Sequence, residues 1–357
     1  MTHTLPLPEF THERVEVITG RRSGLRLAVA LHSSVLGPAL GGARLWTYPH
    51  WSDALGDALR LSAAMTLKNA AAGLDAGGGK SVIGLVPGDE LDADRRRDAF
   101  LDLGDVVESF DGLYRTAEDV GSTMDDMAVV AERTAHVVGL PDAAGGSGEP
   151  AGPTSLGVYE SLRAVLERTT GTADPAGRRV TISGLGQVGG RLASRLAADG
   201  AVLTVTDVNP ARRATAIDLG ATWVEPGTEH LVASDVFVPA GIGGLLTDEV
   251  IDALDTRAVC GPANNPLAAH DGADRLAARG ILYAPDFVVN AGGVIYLDLE
   301  AKGLGTRSEI MARVSAIGGT VRRIFDDAEQ RGITPLAAAE ELAAARLRAG
   351  AGRLATA

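Results

Sequence analysis

The sequence predicts an α/β protein built from two domains. At 357 residues the chain is longer than one ordinary domain and suits two. Short apolar runs alternate with amphipathic segments along most of the chain, which is the pattern of α/β sheets with helices packed on them. Residues 141–153 are rich in Gly, Ala, Ser and Pro, as linkers and hinges are. We therefore expect one α/β domain at residues 1–150 and a second at residues 151–324.

Composition restricts the partners of the protein. Hydrophobic residues make up 45% of the chain and charged residues 22%, so each domain can bury a sizeable core. The net charge of -13 argues against nucleic acid, because a polyanion would be repelled. No apolar run approaches the roughly 18–20 residues of a membrane span. We expect neither nucleic acid nor membrane as a partner.

The cysteine and histidine content points to a cytoplasmic protein without a metal. Cys260 is the only cysteine, so no internal disulfide is possible, as suits a reducing compartment. Residues 1–13 lack the basic start and apolar core of a signal peptide. The seven histidines are scattered without metal-ligand spacing. We expect no metal site.

In the first domain, apolar patterning predicts two short strands at residues 15–18 and 25–31. A glycine-rich segment at 36–44 is typical of a loop that lets backbone approach a ligand. Helical spacing follows at 51–68, and a second, charged amphipathic helix is expected at 91–110. The remaining predicted elements are strands, at 81–86 and at 113–116.

In the second domain, a helix at residues 154–169 is followed by strand, tight glycine turn, helix and strand from Arg179 onward, which is a βαβ unit. Further short apolar runs at 235–239, 258–260 and 281–284 are spaced by helix-like segments, as in a parallel sheet. Residues 309–354 are rich in Ala, Arg and Glu and are expected to be helical.

The glycine turn matches G-x-G-x-x-G at Gly184, Gly186 and Gly189. It follows a strand, opens a helix, and is succeeded by a second strand that ends in Asp207, which gives each part of a Rossmann-type dinucleotide-binding fold in order. A carboxylate at Asp207 would bind ribose hydroxyls and repel a phosphate, which favours NAD over NADP. Arg212 and Arg213 keep NADP open.

Two lysines stand out in the first domain. The chain has 33 basic residues, yet its only lysines are Lys68, Lys80 and Lys302. Lysine differs from arginine because it can lose its proton near neutral pH. Lys68 and Lys80 lie close in sequence, and two lysines in one cleft repel each other, so that one pKa falls. Asp119, in a loop after a strand, is the accompanying carboxylate.

Each of these features also has a plain structural explanation. The lysines can be solvated surface charges, Asp119 can cap a loop, and Gly41 and Gly42 can form an ordinary turn instead of a polar cradle for substrate. The scarcity of lysine favours chemistry at Lys68 and Lys80.

Several motifs together resemble the Glu/Leu/Phe/Val amino-acid dehydrogenase superfamily, and within it the leucine, valine and phenylalanine dehydrogenases. The resemblance runs from about residue 23 to 294 and more loosely through the tail. The motifs lie at residues 36–44 (LGPALGGAR), 65–69 (MTLKN), 77–82 (GGGKSV), 116–121 (TAEDVG), 261–265 (GPANN) and 283–294 (YAPDFVVNAGGV).

The resemblance implies an active-site cleft between a substrate domain and a Rossmann-type domain. It implies reversible oxidative deamination of an L-amino acid by NAD to the 2-oxo acid, ammonia and NADH. Lys80 would be the general base, Asp119 the proton shuttle and Lys68 the ligand of the substrate carboxylate. Other implied substrate contacts are Gly41, Gly42 and Asn290. Implied cofactor contacts are Gly184, Gly186, Gln187, Val188, Gly189, Asp207, Thr154, Ala240 and Asn264.

By the same resemblance the substrate's side chain meets an apolar pocket of Leu40, Met65, Ala117, Val289 and Val294. Relatives that take leucine tend to have Ala at position 117, whereas those that take phenylalanine tend to have Gly. We therefore favour valine, leucine or isoleucine, with an aromatic amino acid as the alternative. A non-catalytic NAD-binding protein is a second alternative, which the full set of polar residues disfavours.

Family architecture also implies a homo-oligomer and a C-terminal helix, residues 325–357, that returns to the first domain. The chain departs from the family pattern at Ala240-Gly241, Pro262 and Pro266, all on the cofactor side. The two prolines flank the Asn264-Asn265 pair and would stiffen that loop.

Overall fold

A computed structural model of the chain describes residues 11–141, 148–241 and 243–354. These residues form two compact units. The first holds the described residues up to Glu149, then Leu297–Leu304 and the chain from Ala343 onward. The second holds Pro150–Tyr296 and Gly305–Leu342.

The first unit is organised around a five-stranded mixed sheet in the order β1-β2-β4-β3-β5. β3 pairs in parallel with β4 on one side and β5 on the other, while β1, β2 and β4 pair antiparallel. The strands are β1 Arg14–Thr19, β2 Arg26–Ser33, β3 Ala39–Thr47, β4 Gly77–Leu85 and β5 Tyr114–Glu118.

The prediction of a loop at residues 36–44 is therefore wrong from Ala39 onward, because the residues from Ala39 form part of β3. Glycine has a weak preference for strands, but β3 lies between two strands and needs close backbone neighbours at this point. Tertiary packing overrides the local preference, so a sequence that looks like a loop forms an inner strand of the sheet.

Helices cover both faces of this sheet. On one face α1 packs Ala54, Ala58 and Leu59 against small side chains of β2 and β4, including Ala28 and Ala30. On the other face the larger side chains of α2 and α3 meet the alternate residues of β2. This alternation along β2 is the period of two that a sheet buried on both faces requires. The helices are α1 Trp51–Ala71, α2 Ala93–Glu108 and α3 Met124–Val130.

The second unit contains a six-stranded sheet in the order β11-β10-β9-β6-β7-β8, in which every pair is parallel. The chain leaves β6 for β7 on one side and later fills the other side with β9, so the order reverses at β6, as in Rossmann-type sheets. This confirms the predicted fold. The strands are β6 Arg179–Ser183, β7 Val202–Thr206, β8 Thr222–Trp223, β9 Val236–Pro239, β10 Ala258–Val259 and β11 Leu282–Tyr283.

Ten helices accompany or follow this sheet in the described part of the chain. The first begins at Ala151, three residues before the predicted start, because Pro153 is tolerated in a first helical turn. The helices are α4 Ala151–Thr170, α5 Gln187–Ala198, α6 Arg213–Asp218, α7 Asp248–Ala253, α8 Gly272–Ala278, α9 Asp286–Val289, α10 Gly292–Ala301, α11 Arg307–Ser315, α12 Ile317–Arg331 and α13 Pro335–Leu354.

The C-terminal part of the chain is divided between the two units. Of the expected return at 325–357, the first unit contains the described residues from Ala343 onward, whereas the preceding part of α13 belongs to the second unit. The first unit also takes Leu297–Leu304, which the sequence did not suggest. Within the described residues, no helix is long and apolar enough to cross a membrane.

Candidate active site

Lys80 and Asp119 come together on the sheet of the first unit. Lys80 lies in β4, and Asp119 directly follows β5, the strand on the other side of β3. The Lys80 Nζ donates a hydrogen bond of 2.7 Å to the Asp119 Oδ2. Only 4% of Lys80 is exposed, so this ion pair lies in an environment with little water. The lysine and carboxylate that the sequence selected are thus in contact.

Glycines in β3 make room for this contact. A Cβ at Gly41 would lie 1.7 Å from the carbonyl oxygen of Gly79 in β4. A Cβ at Gly42 would lie 2.7 Å from the Cβ of Asp119. The two glycines therefore let β4 and the end of β5 approach β3. Their proposed role as a polar cradle for substrate stays a prediction.

Lys68 sits near the end of α1, which packs unusually close to β4. A Cβ at Gly78 would lie 2.2 Å from the backbone nitrogen of Thr66. The next residue after Lys68, Asn69, is fully buried and donates to the carbonyl oxygens of Gly77 at 2.6 Å and Leu40 at 3.3 Å. These contacts fix the last turn of α1, and with it Lys68, against the sheet.

The structure adds Arg44, a residue that the sequence analysis did not select. The Arg44 Nε donates to the Asp119 Oδ2 at 3.1 Å, and its Nη1 donates to the Asp57 Oδ2 at 2.7 Å. Tyr48 donates its hydroxyl to the same Asp57 oxygen at 2.7 Å. Arg44 ends the first family motif in the sequence, which was the available signal. Asp57, on α1, stood in no motif.

Burial and neighbouring charges shift the pKa values of this cluster. Burial lowers the pKa of Lys80; Asp119 acts in the opposite direction, Arg44 adds to the lowering, and the pKa lies below its ordinary value. Burial alone would raise the pKa of Asp119, but Lys80 and Arg44 together lower it. Burial and Arg44 thus act on Lys80 in the direction expected for one of the two lysines, and the expectation itself stays a prediction. Lys80 can thus become neutral while Asp119 stays ionised.

Three of the residues predicted to line the apolar pocket lie in the first unit. Ala117 is 5% exposed and stands opposite Gly42 in the pairing of β3 with β5. Leu40 lies two residues earlier in β3 and is also buried. Met65 is half-buried on α1, one helical turn before Lys68. These three side chains belong to the same unit as Lys80.

In the second unit, the glycine turn has the geometry that a dinucleotide needs. Gly184 has a φ of 114°, and its Cβ would lie 2.8 Å from the backbone of Ala240. A Cβ at Gly189 would lie 2.1 Å from the Gly184 carbonyl oxygen. By contrast, nothing lies within 4 Å of a Cβ built on Gly186, the N-terminal cap of α5. Open space at a helix N-terminus, just before Gln187 and Val188, suits a pyrophosphate.

Asp207 lies beside the glycine turn, and hydrogen bonds from the backbone hold its carboxylate. Its Oδ2 accepts a hydrogen bond of 2.7 Å from the backbone of Leu185, and its Oδ1 accepts one of 2.8 Å from Asn209. Arg213 pairs with Glu225 at 3.1 Å and lies over the Trp223 ring at 5.6 Å. A fixed carboxylate, with Arg213 engaged elsewhere, fits the ribose of NAD better than the extra phosphate of NADP.

The Asn264-Asn265 pair lies in a loop that is held by hydrogen bonds to the side chains of Asn290 and Asp286. Asn290 donates to the Pro262 carbonyl at 3.2 Å and to the Asn264 Oδ1 at 3.0 Å, while its own buried Oδ1 has no partner among the described residues. Asp286 accepts from the backbone of Asn265 at 2.8 Å. Both amide protons of Asn290 thus bind the protein, and the predicted bond to a substrate carboxylate would require one of them to change partner.

The other residues predicted in this unit have simpler positions. Thr154 lies inside α4 and donates its hydroxyl to the Pro150 carbonyl at 2.9 Å. Val289 is fully buried and Val294 is half-buried. Their expected contacts with nicotinamide and substrate stay predictions. Among the residues that the structure describes, no group of three or more His, Cys, Asp and Glu side chains could hold a metal ion.

Two stretches of the chain match sequence families. Residues 10–136 match the dimerisation domain of the Glu/Leu/Phe/Val dehydrogenases, and residues 212–351 match the Glutamate/Leucine/Phenylalanine/Valine dehydrogenase family. The glycine turn lies between the two matches, so its assignment also depends on the geometry given above.

Whole-chain comparisons agree. The chain is 39% identical to a leucine dehydrogenase of Bacillus cereus, over 96% of this chain and 92% of that protein. It is 41% identical to a valine dehydrogenase of Streptomyces virginiae, over 94% of each chain. The crystal structure of L-tryptophan dehydrogenase from Nostoc punctiforme superposes with a TM-score of 0.79 at 34% identity, over 95% of this chain and 97% of that one. The chain belongs to the Glu/Leu/Phe/Val dehydrogenase family and is an NAD-dependent amino-acid dehydrogenase.

Proposed function

We propose that the chain oxidatively deaminates branched aliphatic L-amino acids, namely valine, leucine and isoleucine, to 2-oxo acids and ammonia. The observation that carries this proposal is the buried contact between Lys80 and Asp119, at 2.7 Å. It pairs a lysine whose pKa is lowered with a carboxylate that stays ionised, and these are the two proton carriers that deamination needs.

Lys68 binds the substrate carboxylate in this proposal. It is half-buried in the last turn of α1, which Asn69 and Gly78 hold against the sheet. An ammonium group held on a fixed helix can orient the carboxylate and thereby place the substrate's Cα relative to Lys80. In the amino acid, the α-ammonium group first has to lose a proton, and the ionised Asp119 accepts it.

Lys80 acts once the imino acid has formed. As a neutral amine it accepts a proton from water while the water oxygen attacks the imine carbon, which gives a carbinolamine. Asp119 returns its proton to the nitrogen, and the C–N bond breaks with release of ammonia. The Asp119 carboxylate, ionised again, accepts the hydroxyl proton as the 2-oxo acid forms, and Lys80 and Asp119 then release one proton each to ammonia and solvent. The reverse steps account for reductive amination.

The residues that would hold NAD are Gly186 and Val188 at the start of α5, with Asp207 at the ribose. When bound, NAD supplies the acceptor for the hydride that leaves Cα. Cofactor binding at Thr154, Ala240, Gln187 and Asn264 belongs to the same proposal.

The choice of substrate rests on Ala117. Ala117 stands opposite Gly42 in the pairing of β3 with β5, two residues before Asp119, and in this proposal its methyl group reduces the room for an aromatic ring. Selectivity worth one methylene amounts to about 1–3 kcal/mol. An aromatic substrate is therefore the second candidate, and the 34% identical structure from Nostoc punctiforme, an L-tryptophan dehydrogenase, supports keeping it.

A panel of L-amino acids tests the proposal. The protein is mixed with NAD and valine, leucine, isoleucine, phenylalanine or tryptophan, and NADH is followed at about 340 nm. We expect the highest kcat/KM with a branched aliphatic substrate. Lys80→Ala should lose turnover while still binding NADH. A higher kcat/KM with an aromatic substrate would overturn the substrate assignment, and turnover of Lys80→Ala at the wild-type rate would overturn the role of Lys80.

We also propose that the chain forms a homo-oligomer. The support is the match of residues 10–136 to a domain described as a dimerisation domain. Sedimentation of the purified protein tests this, and a monomer at micromolar concentration would contradict it.

A further inference from the structure

We propose that Arg44 and Asp57 are positioning residues of this site: Arg44 and Lys80 together hold one oxygen of Asp119, and Asp57 holds Arg44. The inference rests on the proposed function, because it assigns the two residues to the proton chemistry of Lys80 and Asp119.

The geometry of Arg44 joins two carboxylates. Its Nε donates to the Asp119 Oδ2 at 3.1 Å, and the Lys80 Nζ donates to the same oxygen at 2.7 Å. Its Nη1 donates to the Asp57 Oδ2 at 2.7 Å. A guanidinium carries its donors in a rigid planar fork, so one side chain can fix both carboxylates at once.

Asp57 is itself held by several donors. Tyr48 donates to its Oδ2 at 2.7 Å and Arg60 to its Oδ1 at 2.6 Å. The side chains of Arg44 and Asp57 are only 17% and 12% exposed, so the pair is shielded from solvent. Because Asp57 and Arg60 lie on α1 and Arg44 on β3, the same contacts connect the helix of Lys68 to the sheet.

Arg44 and Asp57 act on Lys80 with opposite signs. The positive Arg44 favours the neutral amine and, by binding Asp119, weakens the hold of that carboxylate on Lys80. The negative Asp57 favours the ammonium form. Both influences are present in the folded chain, where Arg44 lowers the pKa of Lys80 and Asp57 raises it.

The other charged groups near Lys80 leave the opposite effects of Arg44 and Asp57 on its pKa in place. β2 places the uncharged Ala30 opposite Lys80. On α2, the buried Asp102 binds Arg22 and Ser23. The charged or titratable groups carried by the remaining elements packed against β4 are Arg44 on β3, Asp53, Asp57, Arg60 and Lys68 on α1, and Tyr114, Arg115, Glu118 and Asp119 on or directly after β5.

The scarcity of lysine makes a direct test possible. Protein labelled with ¹³C at the lysine ε carbon gives signals from only Lys68, Lys80 and Lys302. Lys302→Arg and Lys68→Arg assign them. The titration midpoint of Lys80 is then read by NMR, without substrate or cofactor and therefore independently of turnover.

We expect Arg44→Gln to move this midpoint upward, and Asp57→Asn to move it downward, each by about one pH unit. The acid limb of the kcat profile should move in the same directions. Arg44→Lys adds a fourth lysine signal, which is assigned by comparison with the wild-type spectrum. It keeps the charge but cannot bridge both carboxylates, so the Lys80 midpoint should stay nearer the wild-type value while kcat still falls.

Arg22→Gln is the matched control. It removes a guanidinium from the buried Asp102, to which Arg22 donates at 2.9 Å, and it touches neither Lys80 nor Asp119. We expect a lower melting temperature and an unchanged Lys80 midpoint. The Lys302 signal reports in each variant that the fold is intact. If Arg44→Gln does not fold, Arg44→Lys and Asp57→Asn still provide the test.

Midpoints that stay fixed, or that move in the same direction in Arg44→Gln and Asp57→Asn, would overturn the proposal. Opposite shifts in a protein that makes no NADH from any L-amino acid would instead overturn the proposed function, while leaving the electrostatic effect of Arg44 and Asp57 on Lys80 in place. The two failures are thus distinguishable.

Discussion

At the scale of single residues, the identity of the base matters more than its charge. The chain uses arginine almost everywhere, yet places lysine at position 80, where only 4% of the residue is exposed. An arginine there would stay protonated, because its pKa is too high for deprotonation in a protein. Lysine can release its proton when burial and Arg44 act on it. The residue type is therefore the part of the site that the sequence reveals most directly.

This predicts a specific pH dependence. Only the neutral amine accepts a proton, and the pKa of Lys80 is lowered, so kcat/KM should rise with pH through that pKa and level off above it. Lys80→Arg keeps the positive charge but should lose about 10²–10⁴-fold in kcat at every pH. Steady-state rates across the neutral and alkaline range measure both effects. Substantial activity in Lys80→Arg would show that charge alone suffices.

At the scale of elements, glycines decide which strands and turns can meet. Gly41 and Gly42 let β3 lie close to its two neighbours, and Gly78 lets α1 approach β4. In the second unit Gly184 and Gly186 serve different needs, because the first has a positive φ against the Ala240 backbone and the second faces open space. Substitutions at Gly184 and at Gly186 should therefore impair different properties of the protein.

We expect Gly184→Ala to lower stability and Gly186→Ala to lower cofactor affinity. At Gly184 the left-handed backbone and the contact of 2.8 Å would cost about 1–3 kcal/mol. At Gly186 a methyl group fits the folded chain but occupies the space for the pyrophosphate, so Kd for NADH should rise about tenfold. Thermal melting and NADH fluorescence titration separate the two. Unchanged affinity in Gly186→Ala would argue against a pyrophosphate at this turn.

At the scale of the whole chain, residues from its far end stabilise the helix that carries Lys68. Arg346 in α13 donates to the carbonyl oxygens of Leu74 at 2.7 Å and Ala70 at 3.2 Å, and it pairs with Asp75 at 2.8 Å. Such a cation satisfies carbonyl groups at the end of α1 that have no partner within the helix. Through these contacts, the C-terminal segment belongs to the first unit.

Arg346→Ala should therefore destabilise the first unit by about 1–2 kcal/mol, because the Leu74 carbonyl loses its 2.7 Å donor and the Asp75 carboxylate loses its ion pair. It should also raise KM for the amino acid more than it lowers kcat, since Lys68 lies in the same helical turn. Arg348→Ala, an exposed residue two positions further along α13, is the control. Denaturant unfolding and steady-state kinetics give the comparison. Equal effects from the two substitutions would contradict a specific role for Arg346.

The sequence by itself determined the α/β class and the Rossmann-type unit, and it selected Lys80, Asp119 and the glycine turn as candidate site residues. These features depend on residue type and local spacing, which are visible without a fold. Only the tertiary structure decided that residues 39–44 form an inner strand, that Arg44 and Asp57 stand beside Lys80, and that Asn290 binds Asn264. Each of these depends on contacts between residues far apart in the chain. Burial and neighbouring charge, which set the pKa of Lys80, exist only after those contacts form.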